Sequence, residues 1–282
     1  MYTAIVENAK GERLELTHNP AFIVKSITGL NPPNATINTN ANANFDGSTF
    51  NSSKLNERNI VITILPRGDV EQSRQLLYQY IKSKQFVRFY YRNRSRNVYI
   101  DGRVETFECD FFENPQQAQI SIVCPSPYFM DVETKTNEIS YILKGFTFPF
   151  CTNEGETFVF GTEIPFAKTS INNTSDVAIG AIIQFEFTGE VDTPKLYKEE
   201  TGESIIVKGK FRRGDVVTIN TIDGRKSVSL LRDGVTTNVI NDFIGSNWIK
   251  LDTGNNTFLL DAANGRKRIV CTITSVNLYE GV

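Results

Sequence analysis

The chain has 282 residues, 40% hydrophobic and 11% aromatic, with 30 basic residues against 32 acidic ones and a formal net charge of -2. That length suits two cores of ordinary size better than one, and the charge balance excludes a global field drawing the chain to nucleic acid or an anionic membrane. One histidine and four dispersed cysteines (Cys109, Cys124, Cys151 and Cys271) exclude a zinc-type cysteine pair and confine any histidine-activated nucleophile to the turn around His18.

The thiols therefore read as small buried hydrophobes, and neither cofactor nor metal is expected. No segment is apolar enough to span a bilayer, and the start "MYTAIVENAKGERLEL" lacks the basic opening and apolar centre of a signal peptide. Folding in a cytoplasm is the expectation. Phe (20) and Tyr (10) far outnumber Met (2) and Trp (1), which with the Ile and Val content favours pleated structure.

In chain order, residues 31 to 59 come first as a stretch rich in Asn, Ser and Thr, too polar for a core and too long for an ordinary connection. It reads as a disordered loop or as an extended arm ordered on a neighbouring subunit. "ERNIVITIL" (57 to 65) alternates as a strand covered on both sides. "RGDVEQSRQLLYQYIKSK" then offers Asp69 as N-cap with Gln72 three residues on, predicting the one helix, about 15 residues long. "FVRFYY" (86 to 91) is a strand, and "NVYIDGRVETFECDFF" (97 to 112) reads as a hairpin turning at Asp101 and Gly102. "QAQISIVC" (117 to 124) is a strand whose last inward residue is Cys124; Pro125 and Pro127 cannot donate to a ladder and end the domain. Beyond lie short alternating runs parted by turns about every ten residues, among them "TFVFG", "AIIQFEFTG", "DVVTIN", "KSVSLLRDG", "NWIKLDTGNN" and "RIVCTITSVNLY". This spacing indicates a second, all-β sandwich or barrel.

Candidate chemistry is sparse. Arg92, Arg94 and Arg96 beside Phe89, Tyr90 and Tyr91 suggest a stacking and phosphate surface, but strand alternation ending in a solvated turn produces the same interleaving. Glu105 with Glu108, or Glu199 with Glu200, form carboxylate pairs without any sign of a cleft. "DTGNN" (252 to 256) carries one D-T-G triplet where an aspartic dyad needs two, and reads as a turn with Gly254 and Asn255 at positive φ. No phosphate loop or nucleophile elbow occurs. Binding and assembly fit better than catalysis.

Set in order, "VKSITGLNPP", the D-G-S loop and R-x-I-x-I strand of "FDGSTFNSSKLNERNIVITIL", the single helix, "ISIVCPSPYF" and the W-x-x-L-x-x-G-x-N turn at Trp248, Leu251, Gly254 and Asn256 resemble the distal tail proteins of tailed phages, the siphovirus-type tail component family. The resemblance spans nearly the whole chain. It implies a ring-forming β-sandwich with one helix and a long hairpin arm over 1–133, and a galectin-like β-sandwich over 134–282. It further implies a homohexameric hub at the tail tip, through which DNA passes unread. Partners would be the tail tube, a tail-associated, fibre or tape-measure protein, and receptor-binding or adaptor proteins. The polar arm, with Asn38, Asn44, Phe45, Asp46, Gly47 and Phe50, would reach the next protomer, and Trp248, Leu251, Gly254 and Asn256 would form a structural turn. The basic turn at Arg92, Arg94 and Arg96 would lie at an interface or outer rim. The alternatives are an adhesin stacking sugar on Trp248 and a cell-wall hydrolase, which lacks a catalytic constellation.

Overall fold

A computed structural model of the chain describes residues 2–41, 46–144, 161–245 and 247–282. They form two units, Met1–Val132 with Leu278–Val282, and Glu133–Asn277. The last five residues, which the sequence assigns to the second domain, lie with the first unit. The fold is mainly β, with one α-helix among the described residues.

The first unit contains β1 (Thr3–Asn8), β2 (Arg13–Glu15), β3 (Phe22–Thr28), β4 (Ala35–Ala41), β5 (Ser48–Leu55), β6 (Arg58–Pro66), α1 (Val70–Tyr80), β7 (Phe86–Arg92), β8 (Asn97–Cys109), β9 (Ala118–Cys124) and the start of β10 (Phe129–Ser140). One antiparallel sheet runs β2-β1-β7-β8 and another β8-β9-β6-β3. β8 is long enough to serve both: Asn97 to Arg103 pair with β7, and Arg103 to Cys109 pair with β9. Its register shifts between Val104 and Thr106, the one-residue bulge that lets a strand turn from one sheet into the next. Core residues come from both sheets, Val6, Phe89 and Ile100 from one and Ile60, Ile62, Ile120, Ile122 and Cys124 from the other.

The hairpin expected at Asp101 and Gly102 is therefore absent; β8 runs straight through them, and Asp101 pairs with Arg88 on β7. Gly102 is required for a different reason. A Cβ there would stand 2.6 Å from Ile122 Cγ2 and 2.8 Å from Cys124 Sγ, so the glycine makes room for the neighbouring strand's buried side chains. The actual reversal between β7 and β8 is the arginine turn, where Asn93 Oδ1 accepts from the N–H groups of Ser95 (2.9 Å) and Arg96 (2.8 Å). This side-chain turn closes the hairpin without glycine.

Asp69 caps α1 as its sequence indicates, accepting from the Gln72 N–H at 3.1 Å. The helix has 11 residues rather than about 15, because Ile81 leaves it in an extended conformation (φ -121°, ψ 99°). Ser73, Arg74, Leu77 and Ile81 are buried, one inward stripe. Cys124 closes β9 fully buried, and burial pushes its thiol up to about 12; Cys271 is raised by burial too. Cys151 lies outside the described residues.

The second unit holds the rest of β10 and β11 (Ile142–Lys144), β12 (Gly161–Glu163), β13 (Ala167–Asn173), β14 (Ile182–Phe187), β15 (Val191–Lys198), β16 (Ser204–Val207), β17 (Lys210–Phe211), β18 (Val216–Asn220), β19 (Ser227–Arg232), β20 (Val235–Asn238), β21 (Phe243–Gly245), β22 (Gly254–Asn264) and β23 (Ile269–Tyr279). One sheet carries β23-β14-β18-β19-β20 and the other β13-β22-β15-β16-β21, with β17 on β15. Alternate residues are buried, as along Ile269, Cys271 and Ile273 in β23 and Leu196, Phe258 and Leu260 in β15 and β22. That is the pattern of two sheets over one core. β15 is illegible in the sequence because Pro194 reads as a breaker. Thr193, at φ 49°, donates instead to Gly209 O at 2.9 Å, and pairing resumes from Pro194. The expected strand "TFVFG" falls almost wholly outside the described residues.

One side chain ties the first unit's loops together. Arg58, at the start of β6, is 3% exposed. Its guanidinium donates to Pro127 O (2.8 Å), Asn31 O (2.7 Å), Glu280 O (2.5 Å) and Gly29 O, and stacks 4.5 Å from the Phe129 ring centroid. Burial lowers its pKa. The residues it gathers come from the loop after β3, the linker after β9 and the C-terminal segment. That segment is held again by Arg96, 3.6 Å over the Tyr279 ring, and by the Tyr279 hydroxyl donating to Asp131 at 3.2 Å. Replacing Arg58 by Ala strands several carbonyls and is expected to cost about 3 kcal/mol or more in denaturant unfolding. Deleting residues 278 to 282 removes part of the same network, so the double variant should lose less than the sum of the two.

Candidate assembly surfaces

The arm is a two-stranded hairpin, β4 against β5, in which nearly every residue is exposed. Pairing of Ile37 with Ser53 and Thr39 with Phe50, across a register shift after Asn38, sorts the side chains by face. Ala35, Ile37, Ala41, Phe50 and Leu55 fall on one face with Thr39, Ser48 and Ser53; Thr36, Asn38, Asn40, Thr49, Ser52 and Lys54 fall on the other. The polar face is internally bonded, Asn38 donating to Ser52 at 3.0 Å and Thr36 to Asn56 at 2.7 Å. On the apolar face Ile37 and Phe50 are 63% and 60% exposed. Of the residues the sequence singles out, Asp46 and Gly47 sit in the bend before β5, Gly47 at φ 102°, while Asn44 and Phe45 lie outside the described residues. The bulge at Asn51 keeps the apolar residues in phase, and no sequence rule exposes it.

The arginine and aromatic run divides by strand alternation. Val87 and Phe89 enter the core, while Arg88 and Tyr90 face outward beside Tyr99, Arg13 and Glu7. Arg88 binds Asp101 with two hydrogen bonds (2.6 and 3.0 Å) over the Tyr99 ring, and Arg13 binds Glu7 at 2.6 Å. These cations are neutralised within the sheet. In the turn, Arg92 and Arg94 are exposed, whereas Arg96 is spent on Tyr279.

In the second unit the turn that ends the W-x-x-L-x-x-G-x-N run closes around one buried amide. Asn256 is fully buried; its Nδ2 donates to Asp252 O (2.7 Å) and Gly254 O (3.0 Å), and its Oδ1 accepts from the Asp252 N–H (2.8 Å). Gly254 takes φ 89°, as the turn demands; Asn255 does not share its positive φ, because the Asn256 side chain closes the loop in its place. Leu251 is buried and exchanges backbone hydrogen bonds with Ile179 (2.8 and 2.9 Å). Lys198, 1% exposed, donates to Asp252 Oδ2 (2.6 Å) and Lys250 O (2.8 Å), so the D-T-G aspartate is an ion-pair partner. Trp248 is half-buried, stacked on Phe243 at 4.8 Å with Lys226 5.9 Å from its ring centroid.

The other carboxylate pairs are similarly engaged. Glu105 accepts from Ser121, Glu199 from Lys168, and Glu200 from the Thr257 N–H. Among the described residues no group of three His, Cys, Asp or Glu side chains could hold a metal ion, and no helix is long and apolar enough to cross a membrane. A further pair has no local sequence signature, because its partners lie 17 residues apart. Asp215, nearly buried, accepts from Arg232 at 2.5 Å and from the Arg212 N–H at 2.9 Å, and the Arg232 bond holds its carboxyl below the ordinary value.

Two family models match the sequence. One, for the phage tail protein RIFT-related domain, covers residues 9–124; the other, for the C-terminal domain of the siphovirus-type tail component, covers 174–274. Among solved structures the chain is similar to the Dit protein of phage SPP1, described as a paradigm of the hub adsorption apparatus in phages infecting Gram-positive bacteria. The identity is 14%, over 98% of this chain and 99% of that one, with a TM-score of 0.68. A chain of the phage p2 baseplate, in its activated conformation with Sr, matches with 11% identity over 98% of each chain and a TM-score of 0.51. These likenesses show a shared fold. No sequence among curated proteins matches the chain.

Replacing Asn256 by Ala leaves backbone groups of the 252–256 turn unpaired and is expected to lower stability by about 2 kcal/mol, measured by urea unfolding. Asp215 makes a pH-dependent contribution. Its folded pKa is depressed, so its stabilisation is complete above the unfolded carboxylate value of about 4 and is lost as pH falls through the folded one. The stability gap between wild type and Asp215→Asn should accordingly be widest at neutral pH and narrow on acidification below about pH 4.

Proposed function

Because the chain belongs to the siphovirus-type tail component family, matched in order by one model in each half, we propose that it acts as the homohexameric hub of a phage tail tip or baseplate. The ring joins the tail tube to a tail-associated, fibre or tape-measure protein. It presents a platform for receptor-binding or adaptor proteins, and DNA passes through it unread. The two matches carry this reading; the SPP1 protein's description as a hub adsorption apparatus agrees with it. A structural role within the virion follows, with assembly in the host cytoplasm.

Two features of the chain support a ring. The hairpin arm offers a face of Ala35, Ile37, Ala41, Phe50 and Leu55 with little cover from its own chain. Docked on a neighbour, that face makes a heterologous contact, which closes when the rotation per subunit suits six copies. The net charge of -2 suits a conduit that must not hold phosphate. The alternative, an adhesin stacking sugar on Trp248, has less support, since Phe243 is already stacked on that ring at 4.8 Å.

Purified protein is expected to show a six-fold ring by negative-stain imaging, with the matching mass by native mass spectrometry. Deleting residues 38 to 56, or combining Ile37→Asp with Phe50→Asp, should give soluble monomer with an unchanged unfolding midpoint. A ring that survives both changes refutes the role given to the arm.

A further inference from the structure

The second unit carries a basic cleft outside every surface described so far. Two depressions share Glu190 and Asn264 as walls and so form one continuous groove, the larger part enclosing about 500 Å³. Its cations are Lys210, Arg212, Arg232, Arg266, Lys267 and Arg268, drawn from β17, the loop after it, β19 and the turn between β22 and β23. The buried ring of Phe211, stacked on Phe187 at 4.7 Å, lies at its base.

The groove is built by backbone constraint. Gly265 has φ 76°, and a Cβ there would stand 2.3 Å from Glu190 O, so only glycine brings residues 266 to 268 against the start of β15. Opposite, a Cβ on Gly189 would stand 2.6 Å from Arg268 Cδ, so this glycine leaves the path along which the Arg268 side chain lies. Arg232 is aimed by buried Asp215, and Arg212 pairs with Asp233. Lys210 and Arg268, by contrast, form no salt bridge among the described residues, although Asp192 lies opposite Lys210 in the β15–β17 register. Glu190 and Asp192 also line the groove, and Asp192 accepts from the Thr193 hydroxyl.

We infer that this groove docks an acidic segment of a partner protein, whose carboxylates pair with Lys210 and Arg268. Asp192 lies opposite Lys210 across the β15–β17 pair and Glu190 lines the groove as well, so carboxylates spaced along a peptide, each able to pair with one cation, suit this mixed lining better than a continuous polyphosphate. The inference deepens the hub reading, naming the chemistry of one partner of the second unit, and rests on that reading only for the existence of such a partner.

The test uses the full chain and fluorescence anisotropy with a labelled peptide of alternating Glu and Ser, a matched Lys and Ser peptide, and a labelled oligodeoxythymidine. The Glu peptide should bind, more weakly as salt rises. Lys210→Glu with Arg268→Glu should weaken it about tenfold or more, whereas Arg92→Glu with Arg94→Glu in the first unit should leave it unchanged. Thermal unfolding of both variants establishes that they remain folded. Absence of binding, equal binding of the Lys peptide, an effect confined to the Arg92 and Arg94 variant, or tighter binding of the oligonucleotide at the same groove each overturns the proposal. Ring formation is measured separately by mass: a ring without peptide binding defeats the groove alone, and a monomer that binds peptide supports the groove while defeating the ring.

Discussion

The first unit depends on a buried cation held chiefly by backbone carbonyls. Arg58 holds its charge out of water by donating to backbone carbonyls of three separate segments, with the Phe129 ring beneath it. An unpaired buried guanidinium is expensive, and a carbonyl with no donor is expensive too; each removes the other's cost. The consequence is geometric. Loops that share no ladder are fixed relative to β6 by one planar, multiply donating group, which a lysine's single ammonium could not reproduce.

The second unit solves the same difficulty with neutral and charged groups in turn. Asn256 closes its own loop, and Lys198 crosses from β15 to the residues just before it. In both units the strands need little help, since alternating Ile, Val and Phe bury themselves. The connections are where polar groups must be matched one by one. Such residues look like candidate active-site groups when seen singly. Their buried hydrogen-bond partners show that they organise turns, in keeping with a protein whose work is assembly.

Once the cores and turns have consumed their residues, the surfaces left over are informative. The arm keeps an apolar face that lies largely in solvent, and the cleft of the second unit keeps Lys210 and Arg268 outside any salt bridge among the described residues. The outward face of β7, by comparison, pairs Arg88 with Asp101 beside the Arg13–Glu7 pair, so the exposed cations of the arginine and aromatic run are Arg92 and Arg94 at its tip.

Periodicity and punctuation make the elements legible in the sequence itself. Asp69 with Gln72 announced the helix start, Ile60, Ile62 and Ile64 a buried strand, and Pro125 after Cys124 the close of β9, because each is a local rule acting within a few residues. The order of weak motifs along the chain pointed to the family, and to the arm and the C-terminal turn as the places to look. Contacts across long separations had no such signature. Asp101 and Gly102 satisfied the local rule for a turn, yet Gly102 serves Ile122 and Cys124 on another strand. Pro194 satisfied the rule for a break, yet sits in a paired strand. The return of residues 278 to 282 to the first unit, the role of Arg58 and the gathering of Lys210 with Arg268 depend on segments dozens to hundreds of residues apart. Their proximity is a property of the folded chain, where burial and packing outweigh local preference.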